Sequence, residues 1–380
     1  MSQAIIAEPL TTRRARFDPI LIALLGGMVI IGLSMLWSAS YFRADQLYGE
    51  PLRFVLRQAR WTTIGIGLMV TAMLLPLSTI RALVPAALGV SLLLGLLTFV
   101  PGVSAQYLGG QRWIIIFDYS FQPSELMKVT LVLYLAHILA RRGGDFSEPL
   151  HSLTPPLLVA ILFAVVVLLQ NDFSTAVFLL AIALLMLYAA GVPISYFTRM
   201  FLMAAPITLI TLFTREHRVR RVIAFLRPDY DPAGSGYQVL AARRALASGG
   251  LWGAGIGQGV RKLGALPEPQ SDFLFAVVGE ELGFAGVLAT MLLFAAFAGR
   301  GFYLASRQTD LFRSLLVFGC AASIALQSLT NIAVVAGAVP ATGITLPFFS
   351  SGGSAALSSF LLVGLMLNAA QAEPPEHADV

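Results

Sequence analysis

This 380-residue chain has one cysteine, Cys320, inside an apolar run. A lone cysteine closes no intramolecular disulfide and builds no thiolate metal cluster; as a small buried hydrophobe it needs no further role. His137, His151, His217 and His377 are scattered without zinc-ligand spacing. Metal ligands therefore stay unassigned and no tightly bound cofactor is expected. Charge is scarce as well: 12% of residues are Asp, Glu, Lys or Arg, against roughly a quarter in soluble domains. With 57% hydrophobic residues and a mean hydropathy of +0.80, an all-α polytopic membrane protein is left. There is no internal repeat, no soluble domain and no nucleic-acid partner to expect.

What is present is a series of apolar runs. A helix needs about 20 such residues to cross the hydrocarbon core, which marks about ten spans: 19–40, 57–77, 80–100, 122–140, 153–170, 173–190, 194–213, 272–298, 312–336 and 342–368. Arg13, Arg14, Arg16 and the later Ser38-Ala39-Ser40 imitate a cleavable or twin-arginine signal. The run from Ile20 to Trp37 is long enough to span and more spans follow, so it reads as the first transmembrane helix. The organisation expected is a cytoplasmic tail over 1–18, one transmembrane domain over 19–370 and a cytoplasmic tail over 371–380. Lys/Arg asymmetry favours both termini inside: Arg81, Arg141, Arg142, Arg300, Arg307 and Arg313 join the N-terminal arginines there. Arg43, Arg53, Arg57, Arg60 and Arg112 fall in the short outer loops.

The outer loop over 214–271 breaks that pattern with Arg215, Arg218, Arg220, Arg221, Arg227, Arg243, Arg244, Arg261 and Lys262. These cations suit anionic lipid headgroups or a cradle for a phosphorylated lipid substrate, which Arg grips through bidentate contacts. Within the loop, 218–226 reads as a short amphipathic helix and 237–247 as a second helix. The glycine-dense stretch 248–259 that follows is a re-entrant turn or a phosphate cradle. The loop closes on Leu266-Pro267-Glu268-Pro269-Gln270-Ser271-Asp272-Phe273, which delivers a carboxylate to the start of the eighth span. A charge beside hydrocarbon costs several kcal/mol to keep there, and such acids are functional candidates by default. The plainer role for Asp272 is an N-cap of that helix.

Other polar residues lie in or beside the spans. Glu125 and Lys128, at i and i+3, share a helix face as a structural pair or as the lining of a substrate groove. Asp172 suits an N-cap of the sixth helix, and Asn331 a helix–helix hydrogen bond. Glu280 and Glu281, two turns into the eighth span, either tune the site or face a polar neighbour. Pro340, Pro347 and Gly352-Gly353 interrupt the last apolar segment. A break of that kind is tolerated where backbone lines a cavity or is buried in protein, so Ser350, Gly352, Gly353 and Ser354 become candidate cavity residues.

Taken together these residues resemble a known family. Arg112-Trp113, Gln122-Pro123-Ser124-Glu125 with Lys128, Gly236-Tyr237-Gln238 and Gly249-Gly250-Leu251-Trp252-Gly253 are ordered along the chain. Pro267-Glu268 with Ser271-Asp272-Phe273, Glu280-Glu281-Leu282-Gly283, and Leu346-Pro347 with Gly352-Gly353-Ser354 continue the series. The set resembles the SEDS proteins (shape, elongation, division and sporulation). It is more similar to their division branch, FtsW, than to their elongation branch, RodA.

The resemblance implies a peptidoglycan glycosyltransferase of the bacterial inner membrane. Such an enzyme polymerises lipid II for septal wall synthesis, with its active site facing the periplasm or exterior. It implies a class B penicillin-binding transpeptidase as partner, along with other division proteins and membrane lipids. The family's proposed catalytic aspartate falls on Asp272 and its charged pair on Glu125 and Lys128. The substrate-binding set expected is then Arg112, Glu125, Lys128, Arg243, Arg244, Arg261, Lys262, Glu268, Ser350, Gly352, Gly353 and Ser354. A divalent cation, Mg or Mn, is left open. The sequence departs from the family pattern at Gln270-Ser271, Asn171 and Ser351. A flippase for lipid-linked precursors, with broken helices and intramembrane charge, is the rival class; a scaffold without chemistry is a third.

Overall fold

The computed structural model describes residues 17–107, 110–116, 119–143, 149–230, 236–263, 266 and 269–371. Glu268 lies outside the described residues. Each expected span falls on a helix: α1 (Pro19–Tyr48), α2 (Arg53–Leu74), α3 (Leu77–Leu97), α4 (Pro123–Arg141), α5 (Pro149–Leu169), α6 (Phe173–Ala189), α7 (Ile194–Phe213), α10 (Leu274–Ser306), α11 (Leu311–Val335) and α12 (Gly353–Ala369). Seven of these are long and apolar enough to cross a membrane, while α6 and α12 are shorter apolar helices of 17 residues each. The amphipathic stretches of the long loop form α8 (Glu216–Leu226) and α9 (Tyr237–Ser248).

Buried apolar side chains of α4 and α11 form the middle of the core, with α3, α6, α10 and α12 packed around them. Asn368 of α12 donates its side-chain amide to the carbonyls of Ala72 (2.9 Å) and Met73 (3.0 Å), satisfying groups freed where α2 ends. At one end of the bundle Asp18 caps α1 through Leu21 N–H and meets Arg300 of α10, and Arg81 meets Asp310, the N-cap of α11, at 2.6 Å. By contrast α7 contributes no buried residue and packs mainly on α8.

Three features depart from the sequence reading. Between α3 and α4 the chain forms a small antiparallel sheet, β1 (Ser104–Tyr107), β2 (Gly110–Ile116) and β3 (Tyr119–Phe121), in the order β1-β2-β3. β1 and β3 are too short to show a period, and β2 runs into Trp113-Ile114-Ile115-Ile116, which does not alternate. The eighth span begins at Leu274 and is broken at Gly283, where φ is 67° and ψ −164°. A Cβ there would lie 2.3 Å from Gly253 N, so Gly283 answers two demands: positive φ and close backbone approach. Gly283→Ala is therefore expected to cost about 1–3 kcal/mol, read as a lower melting midpoint in detergent.

The tenth span is non-helical until Gly353. Leu346, Phe348 and Phe349 are buried there, wedged among Phe294, Phe297 and Phe360. Irregular backbone is tolerable at this depth because protein surrounds it.

Candidate active site

Four elements converge on one polar cavity. β2 brings Arg112 and Trp113. The start of α4 brings Ser124, Glu125 and Lys128, and α6 brings Asp172 and Thr175. The irregular stretch before α12 contributes Gly343, Thr345, Ser351 and Gly352, and Ser271 and Gln327 complete the wall. The enclosed space is about 150 Å³. Pro123 in the first turn of α4 is pre-set for helix, and it starts the helix where Glu125 and Lys128 face inward. Lys128 Nζ donates to Glu125 Oε2 at 2.6 Å and to Gln327 Oε1 at 2.8 Å, and Ser358 Oγ donates to Glu125. The pair is thus structural and cavity-lining at once. With Lys128 only 3% exposed, this satisfaction is what makes its charge tolerable.

Asp172 does cap α6, accepting from Thr175 N at 3.2 Å. It also faces Arg112 (3.6 Å) and Gln122 Nε2 (3.4 Å), and Arg112 donates to the Asn171 carbonyl. Ser354 Oγ accepts from Gln122 N at 3.0 Å, which ties the start of α4 to α12. Ser124 Oγ, buried in the wall, has no hydrogen-bond partner among the described residues.

Asp272 is not itself part of the cavity lining; it adjoins two residues that are, Ser271 and Gly343, and a Cβ added at Gly343 would lie 3.9 Å from Asp272 Oδ2. It does not cap α10: Phe273 holds the N-cap position, without a side-chain bond. The backbone of Asp272 is held instead by Asn331, whose Nδ2 donates to Asp272 O and to Ile344 O, both at 2.9 Å. That one amide links three elements: α11, the residue that opens α10 and the irregular segment. Burial pushes the Asp272 carboxyl above the usual carboxylate range, opposed by its own backbone N–H, by Ser271 and by Arg221. Asn331→Leu leaves both carbonyls without this donor and is expected to cost about 1–3 kcal/mol, read as a lower melting midpoint in detergent.

The cations sort differently from their order in sequence. Arg221 of α8, absent from the expected set, lies in electrostatic reach of Arg112, Asp172 and Asp272. It lines, with Arg218, an apolar groove of about 300 Å³ walled by Phe173, Val177, Phe178, Leu212 and Leu326. Phe178, Thr342 and Ile344 belong to both groove and cavity, so the two adjoin.

Four of the expected cations are elsewhere. Arg243 donates to the Gly337 carbonyl just past the end of α11, Arg244 is exposed on α9 and Arg261 reaches Ser248 Oγ. Lys262 is buried in an ion pair with Glu281 and donates to Ser38 Oγ at 2.8 Å. None of the four lines the cavity. Ser350 is spent on Leu346 N, and Gly353 packs against Trp61. Glu280 and Glu281 are fasteners for the glycine-rich turn: Val260 N and Arg261 N donate to Glu280, Gly257 N and Gly259 N to Glu281. Among the described residues no three His, Cys, Asp or Glu side chains gather as a metal site.

Comparison with known proteins follows the same outline. A family model described as "Cell cycle protein", covering FtsW, RodA and SpoVE, matches residues 18–374. A probable peptidoglycan glycosyltransferase FtsW from Geobacter sp. (strain M18) is 37% identical over 93% of this chain and 96% of its own. Stage V sporulation protein E of Bacillus subtilis (strain 168) is 33% identical over 94% and 98%. Among solved structures, a chain of a peptidoglycan synthase complex that coordinates polymerization and crosslinking superposes with a TM-score of 0.78 at 27% identity, covering 93% of this chain and 97% of that one. Thermus thermophilus rod shape determining protein RodA superposes at 0.70 and 26%, covering 93% and 96%.

Proposed function

The chain belongs to the FtsW–RodA–SpoVE family of cell cycle proteins, and from that premise we propose that it is a peptidoglycan glycosyltransferase of cell division, polymerising lipid II. The observation that carries this reading is the adjacency of a carboxylate, a polar cavity and an arginine-bearing apolar groove. A lipid-linked pyrophosphoryl sugar has those same three parts: an apolar tail, a dianionic bridge and a polar glycan.

In this reading Asp272 takes the proton from the acceptor sugar hydroxyl as that oxygen attacks the donor's anomeric carbon. The bond to the pyrophosphate breaks with inversion, and the lipid pyrophosphate leaves. Glycoside hydrolysis needs a second carboxyl to protonate a poor leaving group. A pyrophosphate leaves as a stable anion, so one base and positive charge suffice. Arg221 and Arg218 are the cations so placed; Arg112 and Lys128 are already matched by Asp172 and Glu125. Replacing Arg221 with Gln is expected to raise KM for lipid II several-fold, on the order of 1–2 kcal/mol for a lost charge-assisted contact, whereas Arg244→Gln leaves KM unchanged.

The same reading places the protein in the inner membrane with the cavity facing outward. A class B penicillin-binding transpeptidase crosslinks its product, other division proteins position the pair, and a divalent cation on the leaving phosphates is compatible with the chemistry. The full chain in sealed vesicles with fluorescent lipid II tests the reading. Glycan polymer on the cavity side is the expected result; translocated lipid II without polymer would replace the enzyme by a carrier.

A further inference from the structure

The turn from Gly249 to Val260 carries no charged residue, although the loop around it is the most basic part of the chain. It is also unusually greasy for a connection. Leu251 is 68% exposed, Trp252 82%, Ile256 59% and Val260 71%. Nor does it hang free. Its backbone is bolted to α10: Phe284 N and Ala285 N donate to Gly250 O and Leu251 O at 2.9 and 3.1 Å. Ala254 N and Gly255 N donate to Glu280 O and Glu281 O, both at 3.0 Å. The two carboxylates grip the return strand from inside, and Lys262 holds Glu281 in turn. An exposed tryptophan on backbone this well tied is presented, not merely left over.

Its depth follows from the helix it is tied to. From Phe284 to Ser306 α10 rises about 33 Å, close to the hydrocarbon thickness of about 30 Å. Arg300 and Arg307, flanking Tyr303, mark the far end. The turn therefore meets α10 at the opposite boundary. Below it Phe284, Leu288, Met291 and Leu292 are exposed along the outside of the span, a surface whose only solvent is lipid. Trp252 and Leu251 sit where that surface ends.

We propose that the 249–260 turn is an interfacial anchor: Leu251 and Trp252 enter the headgroup–acyl boundary of the leaflet on the cavity side, continuing the lipid-facing surface of α10. Tryptophan favours that boundary, with its ring in the apolar zone and its N–H among headgroups, and an uncharged turn loses no ionic hydration there. The anchor sets the depth of the short buried helix that links Gly283 back to Asp272. The catalytic carboxylate is thereby held at a fixed height relative to the headgroups, whatever α7 and the basic helices do. The membrane contact itself stands apart from the catalytic reading; only its consequence for Asp272 rests on that reading.

Site-directed spin labelling tests it. Cys320 is fully buried, so Trp252→Cys in the otherwise native full chain gives one reactive thiol. The probes are oxygen, which partitions into lipid, and a water-soluble nickel chelate, applied to the protein in phospholipid nanodiscs without any partner. The expected result is loss of nickel accessibility with oxygen accessibility retained, as for a label at Leu288→Cys. Nickel access as free as that of unattached label overturns the proposal. So does shielding from both probes, or shielding that arises only when the transpeptidase is added, which would make the turn a protein-docking surface. If the label disturbs the turn, fluorescence of the unlabelled protein in bilayers of lipid brominated near the headgroup reads the same contact. Wild type is then expected to lose a quenched component that Trp252→Phe lacks; equal quenching of the two overturns the proposal.

Discussion

Asp272→Asn is expected to abolish measurable glycan polymerisation, a drop of about 10²–10⁴-fold for loss of a general base, with folding and lipid II binding retained. The amide keeps the shape of the carboxylate and leaves Asn331's bond to the Asp272 carbonyl intact. It removes the capacity to accept a proton, together with the negative charge that faces Arg221. A structural role would give the opposite pattern, since Asp272 makes no cap bond to α10 and its loss would then be nearly silent. Comparing kcat with KM separates the readings. Loss confined to kcat marks a group acting in the transition state, whereas a rise in KM at constant kcat marks uniform binding.

The second large effect lies away from the chemistry. Glu281 is completely buried and accepts from Ser38 Oγ, Lys262 Nζ, Gly257 N and Gly259 N. Glu281→Leu strands the Lys262 ammonium, 8% exposed, and leaves two backbone N–H groups of the glycine-rich turn without an acceptor. Removing one partner of a buried pair costs about 3–5 kcal/mol, and a large fall in melting midpoint in detergent is the expected readout. The double change Glu281→Leu with Lys262→Met is expected to recover much of the loss, because no uncompensated charge remains. If the single and double variants melt alike, the ion pair is not what holds the turn.

The contrast between these two carboxylates shows what a linear chain reveals. Asp272 is visible because a charge at the head of an apolar run is anomalous wherever it falls. The spans are visible for the same reason: hydrocarbon thickness imposes a length on them. Lys262 is misleading. It follows Arg261 in a basic loop and looks like a phosphate ligand, yet its partners Ser38 and Glu281 are brought to it only by the packing of α1 on α10. Arg221 is the converse, one of several cations on α8 with nothing local to single it out. What distinguishes it is Asp272, about fifty residues on, reached only when the irregular segment before α12 folds beneath both. The break at Gly283 is hidden because the span is largely apolar all round on both sides of it and contains no proline. The steric demand comes from Gly253 on another part of the chain.

The pH dependence of polymerisation addresses the central claim that Asp272 works as the base. A base must be deprotonated to act. Burial raises the folded carboxyl above the ordinary carboxylate value, so activity is full well above that raised value and is lost as pH falls through it. The account predicts an acid limb in kcat for the purified wild type with lipid II, with its midpoint above the usual range of about 3.9 for Asp. It also predicts that this limb is missing from the residual activity of Asp272→Asn. An identical acid limb in both proteins, or one centred at the ordinary carboxylate value, would contradict it.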